Sequence, residues 1–295
     1  MDVFISADME GVTGVAAPAD VVNGEADYAR GVDRLHGDVN AAVEGAIQGG
    51  AETVLVNDAH ATMRNLDPER LDGRATLIRG NTKPRSMMQG LTAEHDVALF
   101  VGYHAKAGTA EAVLNHTVFG EVLQSLHVEN GESGSPDGDG SSTDRTEVGE
   151  MGWNARLAGA LTVPVGLVTG DDATVAEARE ELPDSETVAV KEAIDRFSAR
   201  CRPGTETRSA IREASERAVE RAAAGTLSTV PVGGQTTIAA EWSTTNAAAS
   251  AAAAPGVERE AGRRTAVTAG TYPDAFDASV GMLRAGGAGR DEHYG

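Results

Sequence analysis

The sequence is poor in several things, and each shortage excludes something. A single cysteine, Cys201, rules out an intrachain disulfide and fits a reducing compartment. No apolar run approaches the roughly 18 residues that a membrane-spanning helix needs. The opening "MDVFISAD" has no basic segment and no long apolar stretch, so a secretory signal is not expected there and a cytoplasmic location is. Aromatic residues are only 4%, which leaves the core to small aliphatic side chains. Lysine is nearly missing: Lys83, Lys106 and Lys191 are the only three among 25 basic residues, and the rest are arginine. Excess positive charge is also lacking. At a net charge of −20 the chain is not built to bind nucleic acid by neutralising phosphates. Scarce lysine, excess Asp and Glu, and small apolar residues together suggest adaptation to high salt, where screening relieves self-repulsion.

What is present reads as an α/β protein. Residues 2–7, "TVLVND" (53–58), "ATLIRG" (75–80), "VALFVGYH" (97–104) and "VPVGLVTGDD" (163–172) are apolar runs suited to buried strands. Residues 26–48 place Val32, Leu35, Val39, Ala42, Val43, Ala46 and Ile47 at helical spacing, and Gly49-Gly50 should stop that helix. Helices are also expected at 147–161, 173–182 and 205–224, strand pieces at 117–129 and a strand at 236–243. The segment 247–256 is low in complexity and suits a small-residue helix. Strand–helix–strand order at this spacing predicts a three-layer α/β/α architecture with a largely parallel central sheet. We expect an α/β core over 1–190 and a smaller C-terminal α/β subdomain over 191–295. The Gly-, Ser- and Asp-rich stretch 131–144 is expected to be a flexible acidic loop.

Chemistry enters at "FISADMEGVTG", residues 4–14. An apolar strand runs directly into Asp8 and Glu10, two carboxylates on one face. Two like charges there need either solvent or a cation between them. His60 and His104 also follow buried strands, in "VLVNDAH" and "ALFVGYH". In a parallel sheet the C-terminal strand ends gather along one edge, where ligand sites form. Asp8, Glu10, His60 and His104 then converge from three strands, and two imidazoles with two carboxylates suit Zn²⁺ or a similar ion. Singly, each has a plainer reading as a solvated or packed strand-end residue. Asn57 and Asp58 either orient His60 through its second nitrogen or form a strand-end turn. Lys83 and the pair Asp171-Asp172 carry no assignable chemistry from sequence, and Lys106 either binds a substrate carboxylate or is a solvated lysine. Of the other histidines, His36, His95, His127 and His293 lack such a setting.

The segments "SADMEGVTG", "VLVNDAH", "FVGYHAKAGT", "NHTVFG", "VGEMGWNA" and "VTGDD" stand in the order found in the D-aminopeptidase family of zinc metallopeptidases, also labelled dipeptide-transport proteins, and the chain resembles that family over residues 1–190 and more weakly beyond. The resemblance implies a cytoplasmic enzyme with two zinc ions per subunit, assembled as a decamer, that cleaves short peptides with a preference for an N-terminal D-residue. It places metal ligands at Asp8, Glu10, His60 and His104, with Asp8 bridging, a fifth ligand at Glu150 and a catalytic histidine at His116. The long stretch before Glu150 makes Glu147, three residues earlier, a rival ligand. Three carboxylates and two neutral histidines would leave roughly one net positive charge on two divalent metals, enough to polarise a peptide carbonyl. A metal-activated water, or His116 as nucleophile or general base, would open the amide. Rival readings are a non-catalytic peptide-binding component linked to dipeptide transport, and a metal-dependent amidohydrolase of other specificity. The expected partners are short peptides and further copies of the chain, not nucleic acid or membrane.

Overall fold

The computed structural model describes residues 1–130 and 144–290. Its elements in chain order begin with β1 (Asp2–Ala7), α1 (Pro18–Val21), α2 (Tyr28–Gln48), β2 (Thr53–Asp58), β3 (Ala75–Ile78) and β4 (Val97–Val101). They continue with β5 (Leu123–Asn130), β6 (Asp144–Val148), α3 (Glu150–Ala160), β7 (Val165–Asp171), α4 (Asp172–Glu181), β8 (Glu186–Asp195) and β9 (Ser198–Cys201). The last are α5 (Gly204–Ala223), β10 (Thr236–Trp242), α6 (Thr245–Ala251), β11 (Glu258–Ala261), β12 (Arg264–Ala269) and α7 (Tyr272–Ala288).

The chain divides into two compact units. The first comprises Met1–Ala105, Thr109–Asn115 and Leu161–Val230, and the second Lys106–Gly108, His116–Ala160 and Pro231–Gly295. The division expected near residue 190 lies elsewhere: residues 191–230 fall in the first unit, and 116–160 join the C-terminal part of the chain. The sequence pattern hides this because the chain leaves the first unit after one buried strand and returns to it with another. Of the expected loop 131–144, only Asp144, the first residue of β6, lies within the described residues.

In the first unit a seven-stranded sheet has the order β3-β2-β1-β4-β7-β8-β9. All its pairs are parallel except β8–β9. The central strands β4 and β7 are buried at every position and β1 at all but its first, which is why they read as continuous apolar runs rather than alternating ones. The buried side of α2, including Leu35, Val39, Ala42, Val43 and Ala46, packs against the sheet and α5. Helix α2 ends as its sequence requires. Gly50 takes a left-handed φ of 100°, its N–H reaches Ile47 O, and Ala51 N reaches Ala46 O. The connections run outward from β1 to β2 and, on the other side, from β7 to β8; with the right-handed crossover that parallel β–α–β units take, α2 and α4 are placed on opposite faces. The order therefore reverses between β1 and β4, and the crevice at their C-terminal ends is the expected place for a ligand.

The second unit is built on an antiparallel sheet of order β11-β12-β10-β5-β6. Trp153 of α3 stacks on Phe276 of α7 with ring centroids 4.2 Å apart, and Tyr272 Oη donates to Trp153 O at 2.8 Å. The strand expected from 117 begins only at Leu123. Residues 117–122 turn instead, with Val118 at a φ of 54° and its N–H given to the Glu150 carboxylate.

Candidate metal centre

Two glycines set the geometry of the strand-end crevice. The segments after β1 and β4 are joined backbone to backbone, Asp8 N to Val101 O and Gly11 N to Gly102 O, both at 2.8 Å. A Cβ on Gly11 would sit 1.8 Å from Tyr103 O, and one on Gly102 would sit 2.2 Å from Asp8 O. No side chain fits at either position, so the absence of one lets Asp8 and Glu10 approach His104.

The four sequence-predicted ligands of the first unit come together, and all are buried. His60 Nδ1 lies 3.0 Å from Glu10 Oε2 and 3.3 Å from Asp8 Oδ1. His104 Nε2 lies 3.4 Å from Asp8 Oδ2. Asp8 thus turns one oxygen to each imidazole. The second nitrogen of each ring fixes its tautomer. His60 Nε2 donates to Val21 O and His104 Nδ1 to Ala105 O, each at 3.0 Å, so the nitrogen that each ring, when neutral, would offer to a metal is the one facing Asp8. Burial alone would lower the pKa of His60, but the carboxylates of Glu10 and Asp8 outweigh it and push the value well above that of an ordinary histidine. A cation held among these groups would take the place of that proton. Donor atoms of Asp8, Glu10 and His104 lie within 4.8 Å of one another, and the mixed N/O set fits zinc.

The supporting residues were not all legible in the sequence. Asp58 accepts from Asn65 N, Leu66 N and Asn65 Nδ2, and Asn65 Nδ2 also reaches His60 O, so the loop bearing His60 is closed on itself. The orienting role considered for Asn57 and Asp58 does not occur, because Val21 O already holds the second nitrogen of His60. Asn57 instead donates to Met87 O, and Lys83 bridges Asn57 Oδ1 and Asp58 O at 2.6 Å each. Lys191, fully buried, donates to Glu10 O, Val12 O and Val15 O. Burial brings its pKa down to about 8, with Asp171, Cys201, Asp38 and Glu10 opposing. The shortage of lysine was the one sequence signal for these two side chains. Asp171 and Asp172 are tie points. Asp171 caps α4 through Thr174 N and accepts Val113 N, and Asp172 accepts Ala193 N. His36 is a packing residue between Val32 O and Asp67 N, His95 packs edge-on against Phe4, and His127 hydrogen-bonds Ser125. His293 lies outside the described residues.

In the second unit Glu150 opens α3, is buried, and accepts Val118 N at 2.6 Å. His116 Nε2 stands 3.8 Å from Glu150 Oε1, with the His116 side chain 21% exposed. Glu147 is exposed on β6, opposite His127 of β5. Lys106 is half-buried and packs beside Gly149.

Residues 1–280 match the family model of the M55 peptidases, described as D-aminopeptidase. A D-aminopeptidase of Bacillus subtilis (strain 168) is 37% identical over 201 residues, covering 68% of this chain and 67% of that protein. Among solved structures, the Zn-dependent D-aminopeptidase DppA from Bacillus subtilis, described as a self-compartmentalizing protease, superposes with a TM-score of 0.87. It is 30% identical, with 97% of this chain and 98% of that one covered.

Proposed function

The chain belongs to the D-aminopeptidase (M55) family, and from that premise we propose that it removes N-terminal residues, D-residues in preference, from short peptides at a centre of two zinc ions. It is a metallo-aminopeptidase. The observation that carries the dinuclear reading is Asp8, whose two oxygens face two different imidazoles.

Asp8, Glu10, His60 and His104 would hold the metals, with Glu150 as the fifth ligand, the assignment that the family motifs imply. When bound, zinc supplies Lewis acidity toward a peptide carbonyl oxygen and lowers the pKa of coordinated water. The protein does the rest. Val21 O and Ala105 O keep the two imidazoles in their ligating tautomers, and the interlocked glycine segments hold Asp8 in place. His116, positioned by the turn in which Glu150 accepts Val118 N, would accept a proton from the nucleophile or donate one to the leaving amine, or attack the carbonyl itself.

The assay is hydrolysis of D-Ala and L-Ala amides with and without a chelator. Faster cleavage of the D-amide, abolished by chelation and restored by zinc, is expected. A preference for the L-amide would remove the stereochemical reading, and full activity in chelator would remove the metal. Peptide binding without turnover would favour the transport-linked alternative, and cleavage of other amides alone would favour a different amidohydrolase.

Buried Glu150 rather than exposed Glu147 is the expected ligand. Glu150→Gln should lower zinc occupancy and Glu147→Gln should leave it intact, as read by elemental analysis of the purified variants; the reverse result would move the ligand to Glu147. A homo-oligomer, a decamer in the family reading, is further proposed, supported by the description of the DppA relative as self-compartmentalizing. At −20 per copy, assembly should strengthen with salt as the Debye length falls from about 10 Å at 0.1 M to about 3 Å at 1 M. Size-exclusion chromatography in 0.1 M and 2 M KCl checks this, and identical profiles would contradict the salt-adapted reading. Among the described residues no helix is long and apolar enough to cross a membrane. A cytoplasmic placement is proposed on the scarcity of cysteine, which fits a reducing compartment.

A further inference from the structure

Arginine supplies almost all the positive charge of this chain, yet the fully buried cation beside the β1 strand end is a lysine. Lys191 reaches from β8 and gives its three N–H groups to three carbonyls, Glu10 O at 2.5 Å, Val15 O at 2.7 Å and Val12 O at 3.1 Å. Three oxygens converging on one point cradle a compact ammonium and do not match the planar fork of a guanidinium. The same segment is tied through its opposite polarity: Thr13 N donates to the buried Asp38 carboxylate at 2.8 Å, and Thr13 Oγ1 donates to Thr207 Oγ1 at 2.9 Å. A buried charge is costly unless it is fully hydrogen-bonded. Here its hydrogen bonds all fall on the segment that begins with a candidate ligand.

We infer that Lys191 is a positioning residue of the metal centre, a tethered cation that fixes the segment Glu10–Val15 and so keeps the Glu10 carboxylate against His60. The inference rests on Glu10 being a zinc ligand and adds how that ligand is held. Asp8 does not depend on Lys191, because its backbone is tied to Val101 of β4. Loss of the ammonium should loosen the Glu10 arm and spare the Asp8 arm.

The test is a double-mutant cycle on zinc affinity, measured by competition with a chromophoric chelator for the wild type, Lys191→Met, Glu10→Gln and the double variant. Lys191→Met is expected to weaken zinc binding about 10–100-fold, as removal of outer support around a ligand typically does. In the Glu10→Gln background the same change should cost less than about threefold, since a residue acting through Glu10 has nothing left to act on. The cobalt(II) absorption spectrum of Lys191→Met should resemble that of Glu10→Gln. Lys191→Gln keeps two N–H donors and should fall between wild type and Lys191→Met. If Lys191→Met does not fold, Lys191→Gln carries the same cycle. Zinc affinity within about twofold of wild type, or equal losses in both backgrounds, would overturn the inference, because additivity marks independent effects. Failure of both variants to fold would also overturn it and make Lys191 a core residue. Unchanged zinc affinity in Glu10→Gln alone would remove the ligand assignment itself, and the role of Lys191 through it.

Discussion

Asp8→Ala is expected to strip the protein of zinc and of amide hydrolysis together. Asp8 stands between the two candidate imidazoles, with Oδ1 3.3 Å from His60 and Oδ2 3.4 Å from His104. In the proposed two-metal centre a carboxylate shared in this way would serve both ions, so its removal should lower the affinity for each and leave two cations without the anion between them. The loss should exceed the roughly 10–100-fold that follows from disturbing an outer supporting residue. His60→Ala and His104→Ala should each weaken one metal more than the other. Zinc content and turnover are to be measured on one preparation of each variant. A fully metallated and active Asp8→Ala protein would show that Asp8 is not shared.

His116→Ala is expected to keep both metals and the assembly and to lose most of kcat, by about 10²–10⁴-fold, the range typical of a general acid–base group. The setting fits such a role. The ring is partly open to solvent, stands 3.8 Å from Glu150, and begins a turn whose tightness is marked by Val118 at positive φ. Gly120 leaves room for it, since a Cβ there would meet His116 Cβ at 2.8 Å. The alternative is a histidine that merely packs at the start of the turn. Loss of metal in His116→Ala would make it a ligand, and near-normal turnover with metal intact would return it to a packing role.

The parallel sheet was legible because its central strands are buried on both faces, so their apolar runs are uninterrupted: "FISA", "ALFV" and "GLVT". The gathering of Asp8, Glu10, His60 and His104, the proposed ligands, was legible because chemistry-bearing residues follow such runs at the ends of β1, β2 and β4. The long helices α2 and α5 kept their expected extents to within two residues. The hairpin β8–β9 was not legible. Its outer strand is half-exposed or exposed throughout, and Ile194 and Phe197 near the turn are exposed, so apolar residues there mark no core. Strands β11 and β12 and helix α7 were missed for a related reason. "EREA" is polar and wholly exposed, and the small residues of 272–288 dilute the helical pattern that Phe276, Val280 and Leu283 carry. The division into units was hidden because it depends on which strands pair over long separations, as β5 does with β10, and local periodicity holds no record of that. The supports of the site, Lys191 under Glu10 and Asn65 within the His60 loop, act through backbone carbonyls and amides. Such roles belong to no residue pattern, and only the folded chain reveals them.

If the strand-end carboxylates are gathered around metal, zinc per chain shows it, determined by elemental analysis after zinc loading of metal-free wild-type protein and removal of loosely bound ions. Two zinc ions per chain are predicted, with hydrolysis of D-Ala amide rising as they bind. One ion per chain would contradict the dinuclear centre, and none, with hydrolysis undiminished, would contradict the metallopeptidase reading altogether.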